Sequence, residues 1–323
     1  MTALLDIAGL SVKFPVAGGL FDALIPRRKH YIDILDGISL SLKSGETLGL
    51  VGESGSGKTT LARAILGLSP ISAGTINFNG AELRTKQSFA AMRRSSAMMF
   101  QDPVASLSPR MSVGALLTEP FIIHSVAMPD RKIRAEELLS RVGLSKDMAN
   151  RYPHELSGGQ ARRVGVARAL ALHPKLVIAD EPTAGLDVSV QGEILNLMTG
   201  LKTAMGLSYL IITHNLAMVR HVSDRIAVMY LGRLIEVGPT REVFKNPHHP
   251  YAKSLIASEP QPDPRKRRAD LAIRGEIPSV LNRPKGCEFH TRCSIVRERC
   301  RSEAPQLRAM NPDRFVRCHF AEN

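Results

Sequence analysis

The sequence predicts an α/β fold with a mixed sheet core, an antiparallel β edge, a helical insert and a small C-terminal extension that contains cysteines. Short apolar runs alternate with segments of helical periodicity, which is typical of α/β folds. A glycine-rich motif joins one apolar run to a helix, and two carboxylates close another run. We predict two domains: residues 1–250, with a helical insert at about 104–165, and residues 251–323.

The glycine-rich motif is Gly52-Glu53-Ser54-Gly55-Ser56-Gly57-Lys58-Thr59-Thr60, between a strand predicted over 47–51 and a helix predicted over 61–67. Glycines let successive backbone N–H groups and a helix N-terminus point at phosphate oxygens. Lys58 would reach the β- and γ-phosphates, and Thr59 would offer its hydroxyl to Mg²⁺. A glycine-rich turn with a surface lysine is the alternative, but the strand-to-helix context favours nucleotide binding.

Composition limits the class of protein. With 323 residues, 44% of them hydrophobic, the chain has enough apolar material for one large domain and an appendage. We see no run of about 18 apolar residues and no basic segment followed by an apolar core at the N-terminus, so we expect a cytosolic chain. The formal charge of +13 suits nucleic acid, an anionic membrane surface or a solvated basic face.

The N-terminal segment alternates in a way that predicts strands over 4–14 and 34–42, separated by a loop with the basic run 27–29. Tyr31 stands just before the second strand. A nucleotide base could stack on this ring, or the ring could pack on the sheet, and Phe14 competes for the same role.

Downstream, the apolar run 98–100 ends in Gln101-Asp102-Pro103, and helical periodicity follows from about 104. Gln101 is either a loop residue or a ligand that completes the Mg²⁺ shell and senses the γ-phosphate. Ser157-Gly158-Gly159-Gln160 precedes a helix predicted over 161–172, so its amides form a second anion site or only a helix cap.

Asp180 and Glu181 close a buried strand predicted over 174–181. One carboxylate can hold Mg²⁺ through water while the next polarises an attacking water molecule. Two adjacent surface acids are the alternative, but these two end an uninterrupted apolar run. His214 follows a strand predicted over 207–212, at the kind of sheet edge where ligands collect. Two further strands, predicted over 225–230 and 233–237, form a hairpin.

All four cysteines lie near the C-terminus, at Cys287, Cys293, Cys300 and Cys318. In a reducing compartment this points to metal chemistry more than to disulfides. Tight Cys-x₂-Cys pairs are absent, so zinc is not the obvious metal. Four thiolates are the number that a [4Fe–4S] cluster takes, and the nearby arginines would offset its negative charge. Four reduced thiols are the alternative.

The order and spacing of these motifs resemble the nucleotide-binding subunits of ATP-binding-cassette (ABC) transporters over residues 4–250. More narrowly, residues 187–191, 229–232 and 246–251 resemble the dipeptide/oligopeptide import ATPases, whose relatives carry nickel and other small solutes. The C-terminal segment also resembles the extension of those ATPases, in which a cluster of this kind occurs. Two departures, Ala161-Arg162-Arg163 and Ala184-Gly185, lie outside the chemistry but could tune a dimer contact.

The resemblance implies ATP and Mg²⁺ as cofactors and assigns roles to individual residues. Glu181 becomes the catalytic base, and His214 the γ-phosphate sensor. The residues expected to hold Mg²⁺ are Thr59, Gln101 and Asp180. Ser157, Gly159 and Asp187 are expected at an ATP that is sandwiched between two chains.

The resemblance also implies partners. We expect a second ABC ATPase subunit, a paralogue rather than an identical copy, and two transmembrane permease subunits that the helical insert and the Gln101 loop contact. A solute-binding protein would act indirectly, nucleic acid would not bind, and the chain would be peripheral at the cytoplasmic face of the inner membrane. The alternative is a soluble ABC ATPase that acts on nucleic acid or ribosomes. A P-loop kinase is hard to reconcile with the motif at 156–160.

Overall fold

The structure is a computed structural model and describes residues 3–15, 31–100, 102–128, 130–259 and 275–321. The chain divides into two compact units. We call residues 42–47 and 85–212 the helical unit, and residues 3–41, 48–84 and 213 onward the phosphate-loop unit.

In chain order the strands are β1 (Ala3–Pro15), β2 (Tyr31–Lys43), β3 (Thr47–Val51), β4 (Ala73–Phe78), β5 (Ala81–Glu82), β6 (Ser96–Met99), β7 (Leu176–Asp180), β8 (Ser208–Thr213), β9 (Arg225–Tyr230), β10 (Arg233–Pro239), β11 (Arg308–Asn311) and β12 (Arg314–Val316). The α-helices are α1 (Lys58–Ile65), α2 (Lys86–Arg94), α3 (Pro103–Ser106), α4 (Val113–Ile123), α5 (Arg131–Arg141), α6 (Gly158–Ala169), α7 (Val188–Met205), α8 (Leu216–Val222), α9 (Thr240–Lys245), α10 (Pro250–Ala257) and α11 (Glu298–Ser302). Short 3-10 helices span Lys146–Asn150, Pro153–Glu155 and Val280–Asn282.

The helical unit combines three parallel strands with the helices of the predicted insert. β6 pairs with β7, and β7 with β8. All five residues of β7 are buried, as the continuous apolar run predicts. Helices α4, α5 and α6 pack together, and an ion pair of 2.6 Å joins Glu119 on α4 to Arg168 on α6. These contacts hold α6 against the other helices of this unit.

The phosphate-loop unit contains a four-stranded sheet in the order β2-β1-β4-β5, in which the β1–β4 and β4–β5 pairs are antiparallel. A second set of strands mixes directions: β3 runs parallel to β9, while the β9–β10, β10–β12 and β12–β11 pairs are antiparallel. The predicted mixed sheet and antiparallel β edge are therefore confirmed. Strand β3 brings the chain to the glycine-rich motif, which starts directly after Val51.

One buried cluster runs from β3 into the C-terminal residues of this unit. It includes Val51 and Val228 from neighbouring strands, together with Tyr230, Tyr251 and Phe289. The last three rings contact one another, with centroid separations of 4.8 to 5.4 Å. Aromatic pairs at such distances add to the stability gained from burying their area. Residues after 250 thus share a core with the strand that precedes the phosphate loop.

A buried ion pair also ties the C-terminal strands to β10. The Glu236 carboxylate accepts a bond of 2.6 Å from Arg314 on β12, and further bonds from the backbone N–H groups of His248 and His249. Both charged side chains are almost fully buried. Each residue therefore depends on the other to offset the cost of burying a charge.

Several predicted elements agree closely with the structure. Strands β3 and β9 have the predicted bounds. Helix α6 begins at Gly158 rather than 161, because Ser157 caps it. Helix α2 and the hairpin of β11 and β12 were not predicted. Among the described residues, no helix has the length and apolar character needed to cross a membrane. The domain boundary at residue 250 stays a prediction.

The buried ion pair yields a stability prediction. Arg314→Met should lower the free energy of unfolding by about 3–5 kcal/mol, because the Glu236 carboxylate would stay buried without its cation. Chemical denaturation measures the change. The control is Arg299→Met, which breaks an exposed ion pair with Glu303 and should cost at most about 1 kcal/mol. Equal losses in the two variants would contradict the role given to the buried pair.

Candidate functional site

The glycine-rich motif forms a turn between β3 and α1. Gly57 caps α1 in a left-handed conformation, with φ at 101°. A Cβ atom at Gly52 would lie 2.2 Å from the carbonyl oxygen of Met229, which is too close for any side chain. Glycine at these two positions therefore permits the backbone path that aims the loop at the start of the helix.

Lys58 lies at the first position of α1, and its ammonium is surrounded by oxygen atoms of the loop. The Nζ atom donates bonds of 2.7 Å to the carbonyl of Gly52, 2.9 Å to the carbonyl of Glu53 and 3.3 Å to the hydroxyl of Ser56. The loop thus curls around a buried cation at a helix N-terminus. A cation in such a setting is suited to bind phosphate oxygens.

Glu53 is held from outside the motif. Its backbone N–H donates a bond of 2.9 Å to the hydroxyl of Tyr251. Its carboxylate accepts two bonds from the guanidinium of Arg292, at 2.7 and 2.9 Å. A third contact holds the loop at Ser56, whose carbonyl accepts a bond of 2.8 Å from the backbone N–H of Gly232. The sequence analysis missed Tyr251 and Arg292 as residues of this site, because no local spacing links them to the motif.

The remaining residues of the motif face outward. Ser54, Gly55 and Thr59 are exposed, whereas Thr60 is half-buried. Tyr31 opens β2 with 56% of its surface exposed, and packing of its ring on the sheet stays the alternative. Its stacking on a base stays a prediction.

His214 is also exposed, directly after β8 ends at Thr213. Its neighbour Asn215 caps α8 by accepting a bond of 3.1 Å from the N–H of Met218. The Asn215 N–H donates to the Thr213 hydroxyl at 3.0 Å. The hydrogen bonds of Asn215 therefore fix the turn that contains His214.

In the helical unit, Asp180 is buried as the last residue of β7, and Glu181 follows it in a half-buried position. Glu181 has a left-handed backbone, with φ at 49°, and its N–H donates a bond of 2.8 Å to the carbonyl of Ile212. A non-glycine residue in this conformation is strained, and such strain clusters at functional sites. This supports a functional role for the carboxylate pair.

Ser157 caps helix α6, and the second anion site at this position stays a prediction. Its hydroxyl accepts a bond of 3.3 Å from the Gln160 N–H, and the Gln160 side chain accepts one of 3.0 Å from the Ser157 N–H. The two departures from the family pattern meet here, because the buried Arg162 guanidinium donates a bond of 2.6 Å to the Ala184 carbonyl. Burial lowers the pKa of Arg162, and the nearby Asp102 carboxylate opposes that shift.

Asp187 is exposed at the cap position of α7. The next residue, Val188, is 85% exposed, which is unusual for an apolar side chain. A Cβ atom at Gly159 would lie 3.3 Å from Val190 on α7. The structure thus brings the start of α6, with Ser157 and Gly159, next to the start of α7. Whether these residues bind a nucleotide stays a prediction.

Some predicted residues lie outside the part of the chain that the structure describes. They are Gln101 and the basic run 27–29.

The four cysteines line one pocket of the phosphate-loop unit, together with aromatic residues such as Phe289 and Phe320. All four are free thiols. Burial raises the pKa of the Cys287 thiol to about 12, and it also raises the pKa values of Cys293 and Cys318. Over the described ranges, no group of three or more His, Cys, Asp or Glu side chains is arranged to hold a metal ion.

Two family models match the chain. The ABC transporter model matches residues 35–184, and the model of the oligopeptide/dipeptide transporter C-terminal region matches residues 235–300. The oligopeptide transport ATP-binding protein AppF of Bacillus subtilis (strain 168) is 44% identical in an alignment 323 residues long. The alignment covers 98% of this chain and 97% of that protein. The di/tripeptide transport ATP-binding protein DppF of Pseudomonas aeruginosa (strain UCBPP-PA14) is 42% identical in an alignment 327 residues long. This alignment covers 100% of this chain and 99% of that protein.

Solved structures are similar as well. The ATP-binding cassette MJ0796, solved as a dimer in a post-hydrolysis state with ADP and Pi, has a TM-score of 0.64 and 26% identity, covering 73% of this chain and 99% of that one. The protein cbiO1 of Clostridium perfringens, part of the ABC transporter complex cbiONQ, also has a TM-score of 0.64, with 28% identity and coverage of 76% and 92%.

Proposed function

Because the chain belongs to the ATP-binding proteins of peptide ABC importers, we propose that it drives import as one of two cassettes bound to separate permease subunits. The matches confirm the family, the predicted cassette fold and an ATP-hydrolysing role in peptide import. One observation supports the roles given to this chain's own residues: the loop 52–57 curls around the Lys58 ammonium at the start of α1.

When ATP binds, its phosphate oxygens would replace the loop oxygens as hydrogen-bond partners of Lys58. Phosphate oxygens are charged acceptors and bind an ammonium more strongly than the carbonyls of Gly52 and Glu53 do. Thr59, Gln101 and Asp180 have the oxygen ligands that suit Mg²⁺. When bound, this ion neutralises charge on the β- and γ-phosphates.

Hydrolysis needs a base and an aligned water molecule. In our proposal Glu181 accepts the proton of the water that attacks the γ-phosphorus, while the bond to the leaving oxygen of ADP breaks. His214 contacts the γ-phosphate. The strained backbone of Glu181 supports this assignment, since it holds the carboxylate at one place after β7.

A second subunit would complete each site. The exposed Asp187 and Val188 at the start of α7, beside Gly159, form an apolar and polar patch that suits a contact between cassettes. The relative MJ0796 is dimeric with ADP and Pi. We propose that Ser157 and Gly159 contact ATP held by the partner, and that the partner is a paralogous ATPase rather than an identical copy.

The helical unit offers a surface for the permease. A cavity of about 230 Å³ opens there, lined by residues that include Met98, Phe100, Pro120 and Arg168. Phe100, Ile122 and Ile123 in the same unit are exposed. We propose that this surface, together with the Gln101 loop, binds the permease pair. The chain would then be peripheral at the cytoplasmic face of the inner membrane, and a solute-binding protein would act only through the permease.

The cysteines support a further proposal, a [4Fe–4S] cluster in the C-terminal segment. Four thiols lining one pocket are the donor set that such a cluster takes. The pocket does not close around a single ion, but a four-iron cluster holds its thiolates farther apart than one ion does. A bound cluster would keep the four sulfur atoms deprotonated and hold their segments together.

The role of the base gives the test of the proposed function. Glu181→Gln should keep ATP affinity, lower the turnover rate by roughly 10² to 10⁴ and accumulate a closed dimer, since the water would lack its base. Turnover is measured with the purified cassette pair and permease, and the dimer by gel filtration. Glu303→Gln, at an exposed ion pair with Arg299 outside the helical insert, is the matched control and should keep wild-type turnover. Unchanged turnover in Glu181→Gln would remove this carboxylate from the mechanism.

The cluster proposal has its own test. Anaerobically purified protein should be brown, absorb broadly near about 400 nm and contain about four irons per chain, as expected for four thiolates on one cluster. Cys293→Ser should lower the iron content. Colourless protein without iron, or an iron content that Cys293→Ser leaves unchanged, would rule the cluster out.

A further inference from the structure

Glu53 of the phosphate loop is bonded to two residues outside the loop, Tyr251 and Arg292. Three of its groups are held: the N–H by Tyr251, the carboxylate by Arg292 and the carbonyl by Lys58. We propose that Arg292, from the C-terminal segment, is a positioning residue for ATP binding that fixes Glu53 and neutralises its charge. This inference rests on the proposed function, because it assumes that the loop binds ATP.

Arg292 and Glu53 form a bidentate ion pair. Two parallel N–H···O bonds of 2.7 and 2.9 Å join the guanidinium to both carboxylate oxygens, across 239 positions of sequence. The Arg292 side chain is only 5% exposed, so solvent screens the pair weakly. A planar guanidinium makes this bidentate contact, whereas a lysine ammonium cannot.

The Arg292–Glu53 pair matters for ATP binding because Glu53 is negatively charged. A carboxylate within the loop that receives a triphosphate would repel that polyanion. The Arg292 guanidinium lies against this carboxylate and offsets its charge. In turn, the hydrogen bond to Glu53 raises the pKa of Arg292 above its ordinary value, so the guanidinium is charged at neutral pH.

Position matters as well as charge. The carbonyl of Glu53 is one of the oxygens that hold the Lys58 ammonium, so movement of residue 53 would move the cation that meets the phosphates. Displacing a binding group by about 1 Å can cost up to about a hundredfold in function. Holding Glu53 from two sides therefore keeps Lys58 in place before ATP arrives.

The segment that carries Arg292 is itself fixed. The Arg292 N–H donates a bond of 3.0 Å to the Phe289 carbonyl, and Arg292 directly precedes Cys293. The Phe289 ring meets Tyr230 edge to face, with centroids 5.4 Å apart, and the Arg292 guanidinium lies 5.8 Å from the Tyr230 ring centre. Residues 289–293 therefore hold the Arg292 guanidinium beside the packed rings of Phe289 and Tyr230.

The experiment measures ATP affinity without Mg²⁺, where ATP binds but is not hydrolysed. Arg292→Gln should weaken affinity about tenfold or more, because Glu53 would lose its anchor and its counter-charge. Arg292→Lys should recover part of the loss. The double variant Glu53→Gln/Arg292→Gln should recover most of it, since the repelling charge is gone and two amides can still pair. Added salt should narrow the gap between Arg292→Gln and the double variant.

Arg299→Gln is the matched control, because it makes the same substitution in the same segment at an exposed ion pair. It should bind ATP as the wild type does. Wild-type affinity in Arg292→Gln would overturn the inference, and so would a double variant as weak as Arg292→Gln, which would indicate a structural role only. Melting temperatures of all variants identify losses due to unfolding. If the wild type itself does not bind ATP, the proposed function fails instead.

Discussion

The conformation of the phosphate loop depends on hydrogen bonds to residues outside the loop. Lys58 draws the carbonyls of the loop inward, and this alone would leave the outer side of Glu53 unsupported. Tyr251 and Arg292 supply that support, while Gly232 holds the loop at Ser56. A site that binds a polyanion must be organised before the ligand arrives, since ordering it during binding would reduce affinity.

The residues after 250 are therefore more than an appendage of the phosphate-loop unit. Their aromatic rings complete the core that begins at Val51, and the buried pair of Glu236 and Arg314 fixes the strand hairpin beside β10. Because each buried charge needs its partner, this pair favours the arrangement in which the two side chains meet. That arrangement places the Arg292 guanidinium within hydrogen-bonding distance of the phosphate loop.

Sequence reasoning succeeded where the signal is local. The spacing of the motif at 52–60 and the apolar runs of β3 and β9 predicted their structures, because strand, turn and helix start each leave a pattern over a few residues. The start of α6 could have been found from Ser157 and Gln160, which have the spacing of a capping box. The Arg292 contact to Glu53 could not, since no pattern in one sequence links positions so far apart. The strands β11 and β12 were missed because, with four and three residues, they are too short to show an alternation of apolar and polar side chains.

Hydrogen exchange tests most directly whether the C-terminal residues hold the phosphate loop. Tyr251→Phe removes only the hydroxyl that accepts the Glu53 N–H and keeps the buried ring. Losing one hydrogen bond of about 0.5–1.5 kcal/mol should speed amide exchange in residues 52–57 by roughly two- to tenfold. Exchange in β7, which belongs to the other unit, should stay the same. Unchanged exchange in the loop of folded Tyr251→Phe protein would contradict the account.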